Sequence, residues 1–227
     1  MVDTMPELFD AEVISIIGLT LRMTLLSTSI SALIGIPLGL WLDHVSFFGK
    51  RFVIIVNRAL MGSPPVVVGL VVYLIFMRNG PLGFLGLLFT FEAMVIAQVI
   101  LITPIICGIV HTASERNSAR IRIFAQTMGA NKVQTQFLLV KELSNEIYFA
   151  IVGGFGRAMS EVGAIMIVGG NIRHHTRTMT TSISLLRNRG EINQAIVLGA
   201  MLMLIAIGVQ VLLGLIRKKE RRVDENF

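Results

Sequence analysis

The chain has 227 residues, 54% of them hydrophobic and 15% charged, with a formal net charge of +6 and a mean hydropathy of +0.76. A soluble domain of this size has no core that would need so much apolar surface, so the bilayer is the main solvent and no separate soluble domain is expected. The positive charge lies mostly between apolar runs, which reads as membrane topology and attraction to anionic headgroups, and no aromatic-interleaved basic patch argues for nucleic acid.

The first twelve residues carry Asp3, Glu7, Asp10 and Glu12 and no Lys or Arg. They lack the basic start of a signal peptide, so the first apolar helix is expected to stay in the mature protein, with the N-terminus outside. Met23–Leu42, Ala59–Met77, Ala93–Val110 and Ile192–Ile216 are free of charged side chains. Each approaches or exceeds the ~20 residues a helix needs to cross hydrocarbon. Ile147–Ile172 makes a fifth span, interrupted by Arg157 and Glu161. The pattern predicts one all-α membrane domain over 1–227, with spans at about 13–42, 53–77, 91–111, 147–171 and 192–216 and a polar loop at about 112–146.

The basic residues orient these spans. Lys50 and Arg51, then Arg116, Arg120, Arg122, Lys132 and Lys141, then Arg217, Lys218, Lys219, Arg221 and Arg222 fall on one side. Arg78, Arg173, Arg177, Arg187 and Arg189 fall on the other, so the bias predicts N-terminus outside and C-terminus in the cytoplasm.

Along the chain, Gly35-Ile36-Pro37-Leu38-Gly39 sets small residues four apart and reads as a helix-packing surface. Ser63-Pro64-Pro65 interrupts the second span, because two missing N–H groups leave carbonyls free; it is either a kink or the lining of a pathway. The lone Cys107 reads as a small buried hydrophobe. In the loop, Ile121, Phe124 and Met128 form one apolar stripe on a short helix, Gly129 supplies a left-handed stop, and Asn131 with Gln134 resembles a capping box. Two short helices meeting at Gly129-Ala130 are expected, docked on a partner or lying on headgroups.

Arg157 and Glu161 stand four apart inside the next span, beside Ser160, where an unpaired charge costs at least ~2.5–3.5 kcal/mol. They are expected to neutralise each other, either as a structural pair or as the gate of a pathway. Past Gly169-Gly170-Asn171, the residues Arg173, His174, His175 and Arg177 form a charged external loop that either attracts an anion or is simply solvated. No set of His, Asp, Glu or Cys within the spans reads as a metal or nucleophile site, so no enzyme is expected.

The run Ala125-Gln126-Thr127-Met128-Gly129-Ala130, with Phe137 and Val140 downstream, resembles the cytoplasmic EAA loop of ABC-importer permeases. Ile123 and Phe124 stand where that family opens its motif with Glu and Ala, and its downstream prolines are replaced around Glu142 to Glu146. Gly154-Phe155-Gly156-Arg157-Ala158-Met159-Ser160-Glu161-Val162-Gly163-Ala164, Gly169-Gly170-Asn171-Ile172 and Thr176-Arg177-Thr178-Met179-Thr180-Thr181 resemble the tungstate-type permeases of the molybdate/sulfate-like group. So do Ser63-Pro64-Pro65-Val66-Val67-Val68-Gly69 and Asn79-Gly80-Pro81-Leu82-Gly83.

The resemblance implies a type I importer architecture and the pore subunit of an oxyanion importer in a bacterial inner membrane. Phe124, Ala125, Met128, Gly129, Ala130 and Lys132 would couple to an ATPase. Ser63, Pro64, Pro65, Arg157, Ser160 and Glu161 would line or gate the path, and Asn171, Arg173 and Arg177 would face outward. The implied partners are two ATPase subunits, an external substrate-binding protein, membrane lipid and a second copy of the chain. No G-x-x-x-x-G-K-[ST] run is present, so ATP and Mg belong to the ATPase and this chain is expected to bind no cofactor. Molybdate, sulfate and phosphate stand as alternative cargoes, and a scaffold or channel without ATP coupling stands as an alternative class.

Overall fold

The computed structural model describes residues 11–224. The expectation for the acidic tail at Asp3, Glu7 and Asp10 lies outside the described residues, as do the side chains of Lys218, Lys219, Arg221 and Arg222. Nine α-helices and no strand occur among the described residues: α1 (Ala11–His44), α2 (Lys50–Met61), α3 (Pro65–Phe76), α4 (Phe91–Thr127), α5 (Lys132–Glu142), α6 (Ser144–Met159), α7 (Gly163–Gly169), α8 (Met179–Asn188) and α9 (Ile192–Asp224). Three are long and apolar enough to cross a membrane: α1, α4 and α9. Two helix pairs pass the same test only together, α2 with α3 bent by 105° and α6 with α7 bent by 57°, which gives three spans, or five where each bent pair is one.

The spine is a parallel pair, α1 and α4. Gly35 lies against Thr103 and Ile106, and one turn on Gly39 lies against Cys107, Val110 and His111. A Cβ at Gly39 would come within 2.7 Å of the Cys107 carbonyl oxygen, so only glycine lets the two backbones approach this closely. The C-terminal ends are locked by Asp43, whose Oδ2 accepts from Ser114 Oγ at 3.0 Å and from Arg122 Nη2 at 2.9 Å. Around the spine, α6 buries Ala150 and Ala158 on Ile102, Ile106 and Val110 of α4. Val72 and Phe76 of α3 pack with Ala164 and Val168 of α7 over Ala93, Ala97 and Leu101.

The polar loop differs from the two short helices expected. Its first helix is the end of α4, which continues without a break to Thr127, because no glycine or proline between His111 and Thr127 interrupts the i to i−4 ladder. The stop and restart stand: Gly129 has φ +73°, Asn131 Oδ1 accepts from the Gln134 N–H at 2.9 Å, and Gln134 Oε1 accepts from the Asn131 N–H at 2.8 Å. From there α5 folds back, burying Leu139 and Leu143 against Ala113, with Ile121 packed on the same cluster.

The second difference is α8. Its residues read as a polar connection, yet Met179, Thr180, Thr181 and Ser182 are buried, and a Thr178–Thr181 capping box starts the helix. It pairs with α9 through a cluster of Ile16, Met179 and Leu198.

Gly39→Leu should lower the stability of the purified protein by about 1–3 kcal/mol, the usual cost of overpacking, read as a fall in melting temperature. Gly18→Leu, on the same helix with open space around it, should change it little. Equal falls in both would contradict the close-packed spine.

Candidate functional site

The two bent spans break side by side. In the first, Gly62, Ser63 and Pro64 separate α2 from α3; Pro64 is extended at ψ 124°, as a residue before proline must be, and Pro65 opens α3 where its missing N–H costs nothing. In the second, Ser160, Glu161 and Val162 separate α6 from α7. A Cβ on Gly163 would lie 2.7 Å from Val66 Cγ2, and one on Gly69 would lie 2.6 Å from Ala164 Cα, so the first turns of α3 and α7 are in direct contact. The geometry thus sets Val66 and Gly69, which follow Ser63-Pro64-Pro65, against Gly163 and Ala164, which follow Arg157, Ser160 and Glu161.

Glu161 organises this junction. The helix ends at Met159, so Arg157 and Glu161 do not share one unbroken helical face as their spacing suggested. They still pair, Arg157 Nη1 to Glu161 Oε2 at 3.4 Å, with the Arg157 side chain 37% exposed and that of Glu161 only 4%. The other carboxylate oxygen accepts the Ala164 N–H at 3.2 Å, capping the first turn of α7. The Glu161 carbonyl accepts from Thr180 Oγ1 at 2.9 Å and so ties the break to α8. Ser160 is exposed, its hydroxyl donating to the Arg157 carbonyl at 3.1 Å. One residue therefore caps α7 and links it to α6 through Arg157 and to α8 through Thr180.

Gln98 completes the junction and was not singled out from sequence. It is fully buried on α4, donating Nε2–H to the Ala158 carbonyl at 2.9 Å and accepting from Ser27 Oγ of α1 at 2.6 Å. The available signal was its being the one amide in the charge-free run Ala93–Val110. Thr20 was also missed; its Oγ1 accepts the Met179 N–H at 3.0 Å and donates to the Ile16 carbonyl at 2.7 Å.

The loop residues lie at the far end of α4. From Gln98 to Thr127 the helix rises roughly 44 Å, so they do not touch the junction. Ala125 is buried at the turn, where its carbonyl accepts the Ala130 N–H at 2.9 Å. Phe124 is 59% and Met128 73% exposed, so of the expected stripe only Ile121 packs on this chain. With exposed Ile123, Val133, Phe137 and Lys132 they form an apolar tip with a basic edge.

The residues expected on the outside form a third group, and they are not an open charged loop. Glu12, from the start of α1, receives Arg173 Nε at 3.0 Å and Arg177 Nη1 at 3.3 Å. Asn171 turns the chain at φ +52°. Among the described residues no group of three or more His, Cys, Asp or Glu side chains is placed to hold a metal ion.

The chain belongs to the family of binding-protein-dependent transport system inner membrane components, whose model matches residues 35–222. It is 42% identical over 201 residues to the tungstate uptake system permease protein TupB of Peptoclostridium acidaminophilum, covering 88% of each chain. It is 36% identical over 201 residues to the protein of the same name in Campylobacter jejuni, covering 87% of this chain and 82% of that one. The molybdenum transport system permease protein ModB of Azotobacter vinelandii is 30% identical over 175 residues, 74% of this chain and 77% of that one. The protein is an all-α membrane permease, a transport component of the ABC-importer type.

The burial asymmetry of the ion pair sets the outcome of breaking it. Arg157→Gln leaves the buried Glu161 carboxylate without its cation and should cost about 2 kcal/mol, below the ~3–5 kcal/mol of a fully buried pair because Arg157 is partly solvated. Glu161→Gln leaves the more exposed Arg157 unpaired and should cost less. The double variant should recover part of the Arg157→Gln loss in a thermal-shift cycle; purely additive losses would contradict the pairing.

Proposed function

We propose that this chain is the pore subunit of an ATP-driven importer whose cargo is a tetrahedral oxyanion, tungstate first. The observation that carries this reading is the 42% identity to a tungstate uptake permease over 88% of the chain. The Arg157–Glu161 run, part of the tungstate-type resemblance, lies at the junction of the two broken spans. Molybdate is the second reading, favoured by the 30% identity to a molybdenum permease.

In this reading two copies of the chain enclose the path between them, in keeping with the unpartnered apolar side chains along α3 and α9. The N-terminus and the Arg173–Glu12–Arg177 clamp face outward in a bacterial inner membrane, and an external binding protein delivers the anion there. Two ATPase subunits dock on the tip at Phe124, Ala125, Met128, Gly129, Ala130 and Lys132. Their closure on ATP moves the tip, and α4 carries the movement as a rod to Gln98, which holds the end of α6. The junction of Ser63, Pro64, Pro65, Arg157, Ser160 and Glu161 then acts as the gate, since two short helices meeting at breaks shift with less backbone disruption than a continuous one. Discrimination among oxyanions rests with the binding protein.

Proteoliposomes holding the chain with its ATPase and binding protein should take up tungstate on ATP addition, in preference to molybdate and sulfate. Equal uptake of sulfate, or uptake without ATP, would contradict the proposal. Gly129→Val places a β-branched residue at φ +73°, a strain of ~1–2 kcal/mol, and should leave ATP hydrolysis while reducing delivered anion. Normal coupling in that variant would count against the tip as the transmitting element.

A further inference from the structure

A half-open pocket of about 470 Å³ lies between α2, the C-terminal half of α4 and the start of α6. It belongs to neither the junction nor the docking tip: Glu146, which lines it, stands eleven residues before Arg157 on α6, roughly 16 Å along the helix. Asn57 donates Nδ2–H to the Pro104 carbonyl at 3.2 Å and holds α2 in place as one wall.

The lining carries charges of both signs that the chain does not use. His111 is 4% exposed, and neither ring nitrogen has a hydrogen-bond partner. Arg58 and Arg116 make no ion pair among the described residues. Glu146 Oε2 is buried and unpartnered, and its carboxylate forms no ion pair with either arginine. Buried polar groups without partners are costly, so His111 and Glu146 at one pocket, with the exposed Arg58 and Arg116 beside them, point to an occupant. Leu42 and Ile54 add an apolar wall.

Depth narrows the choice of occupant. The charge-free run of α4 ends at Val110, His111 follows, and Glu115 and Arg116 come a turn later, so the pocket straddles the level where hydrocarbon meets headgroups. A bare inorganic dianion would satisfy the arginines but face the Glu146 carboxylate, and it would leave the apolar wall uncovered. An occupant that fits has a phosphate, an amine that donates hydrogen bonds, and an apolar body. We propose that this pocket binds the headgroup of an aminophospholipid, with its phosphate on Arg58, Arg116 and His111 and its ammonium on Glu146.

The test uses the full-length chain reconstituted in vesicles of equal parts phosphatidylethanolamine, phosphatidylcholine and phosphatidylglycerol, then released for native mass spectrometry. Retained phosphatidylethanolamine should exceed phosphatidylcholine roughly tenfold, the ratio one charge-assisted hydrogen bond supports, because the quaternary amine has no N–H for Glu146. Glu146→Gln should keep a bound lipid but lose that preference, and Arg58→Gln with Arg116→Gln should release the lipid at unchanged helicity. No enrichment in the unaltered chain, or an unchanged preference in Glu146→Gln, would overturn the proposal. Displacement of the lipid by millimolar inorganic phosphate would assign the pocket to a soluble anion and overturn it as well.

Discussion

A break in a packed helix leaves free backbone groups that must find partners, and this chain sets two such breaks against each other. Everything near them follows from how those groups are satisfied. Glu161 does most of it: one carboxylate oxygen caps α7, the other pairs with Arg157, and the carbonyl holds Thr180. Gln98 secures the adjoining end of α6 through the Ala158 carbonyl and links it to α1 through Ser27. Two short helices, α3 and α7, can then meet at glycine-to-backbone distance, since neither has to supply the other's missing hydrogen bonds.

The same arrangement explains how remote parts of the chain act together. Because α4 is unbroken from Phe91 to Thr127, the exposed tip at Phe124 and Met128 and the buried amide at Gln98 are joined by one continuous helix. The glycine contacts at Gly35 and Gly39 and the Asp43–Arg122 pair bind α1 to that helix. The two bent spans lean on it, and their breaks are the places where backbone geometry can change without tearing a continuous ladder. Stiff spine and jointed flank are what the proposed drive from the Phe124–Met128 tip requires.

Much of this was legible in the residues because the signals were local. Charge-free runs marked the apolar stretches, Ser63-Pro64-Pro65 marked a break, and Gly129 with Asn131 and Gln134 marked a turn and cap, each through the chemistry of neighbours in sequence. The continuity of α4 past residue 111 was hidden because its later half turns polar, which reads as a loop although nothing in it stops a helix. The partners of Gln98 and Thr20 were hidden because they come from other helices. Arg173 and Arg177 looked like free external charge, and their neutraliser, Glu12, is more than 160 residues away in sequence. α8 escaped notice because a helix rich in Thr and Ser shows no apolar period, yet its hydroxyls are what the buried junction needs.

The central claim is that α3 and α7 move against each other at their breaks during transport. Val66→Cys with Gly163→Cys, in a Cys107→Ser background, places two thiols where a Gly163 Cβ lies 2.7 Å from the Val66 side chain, within easy reach of a disulfide. Uptake by the assembled importer, measured before oxidation, after oxidation and after reduction, should fall when the bridge closes and return when it opens, while ATP hydrolysis continues. Uptake that is the same with the bridge closed would show that the junction is static, and the account of the gate would be wrong.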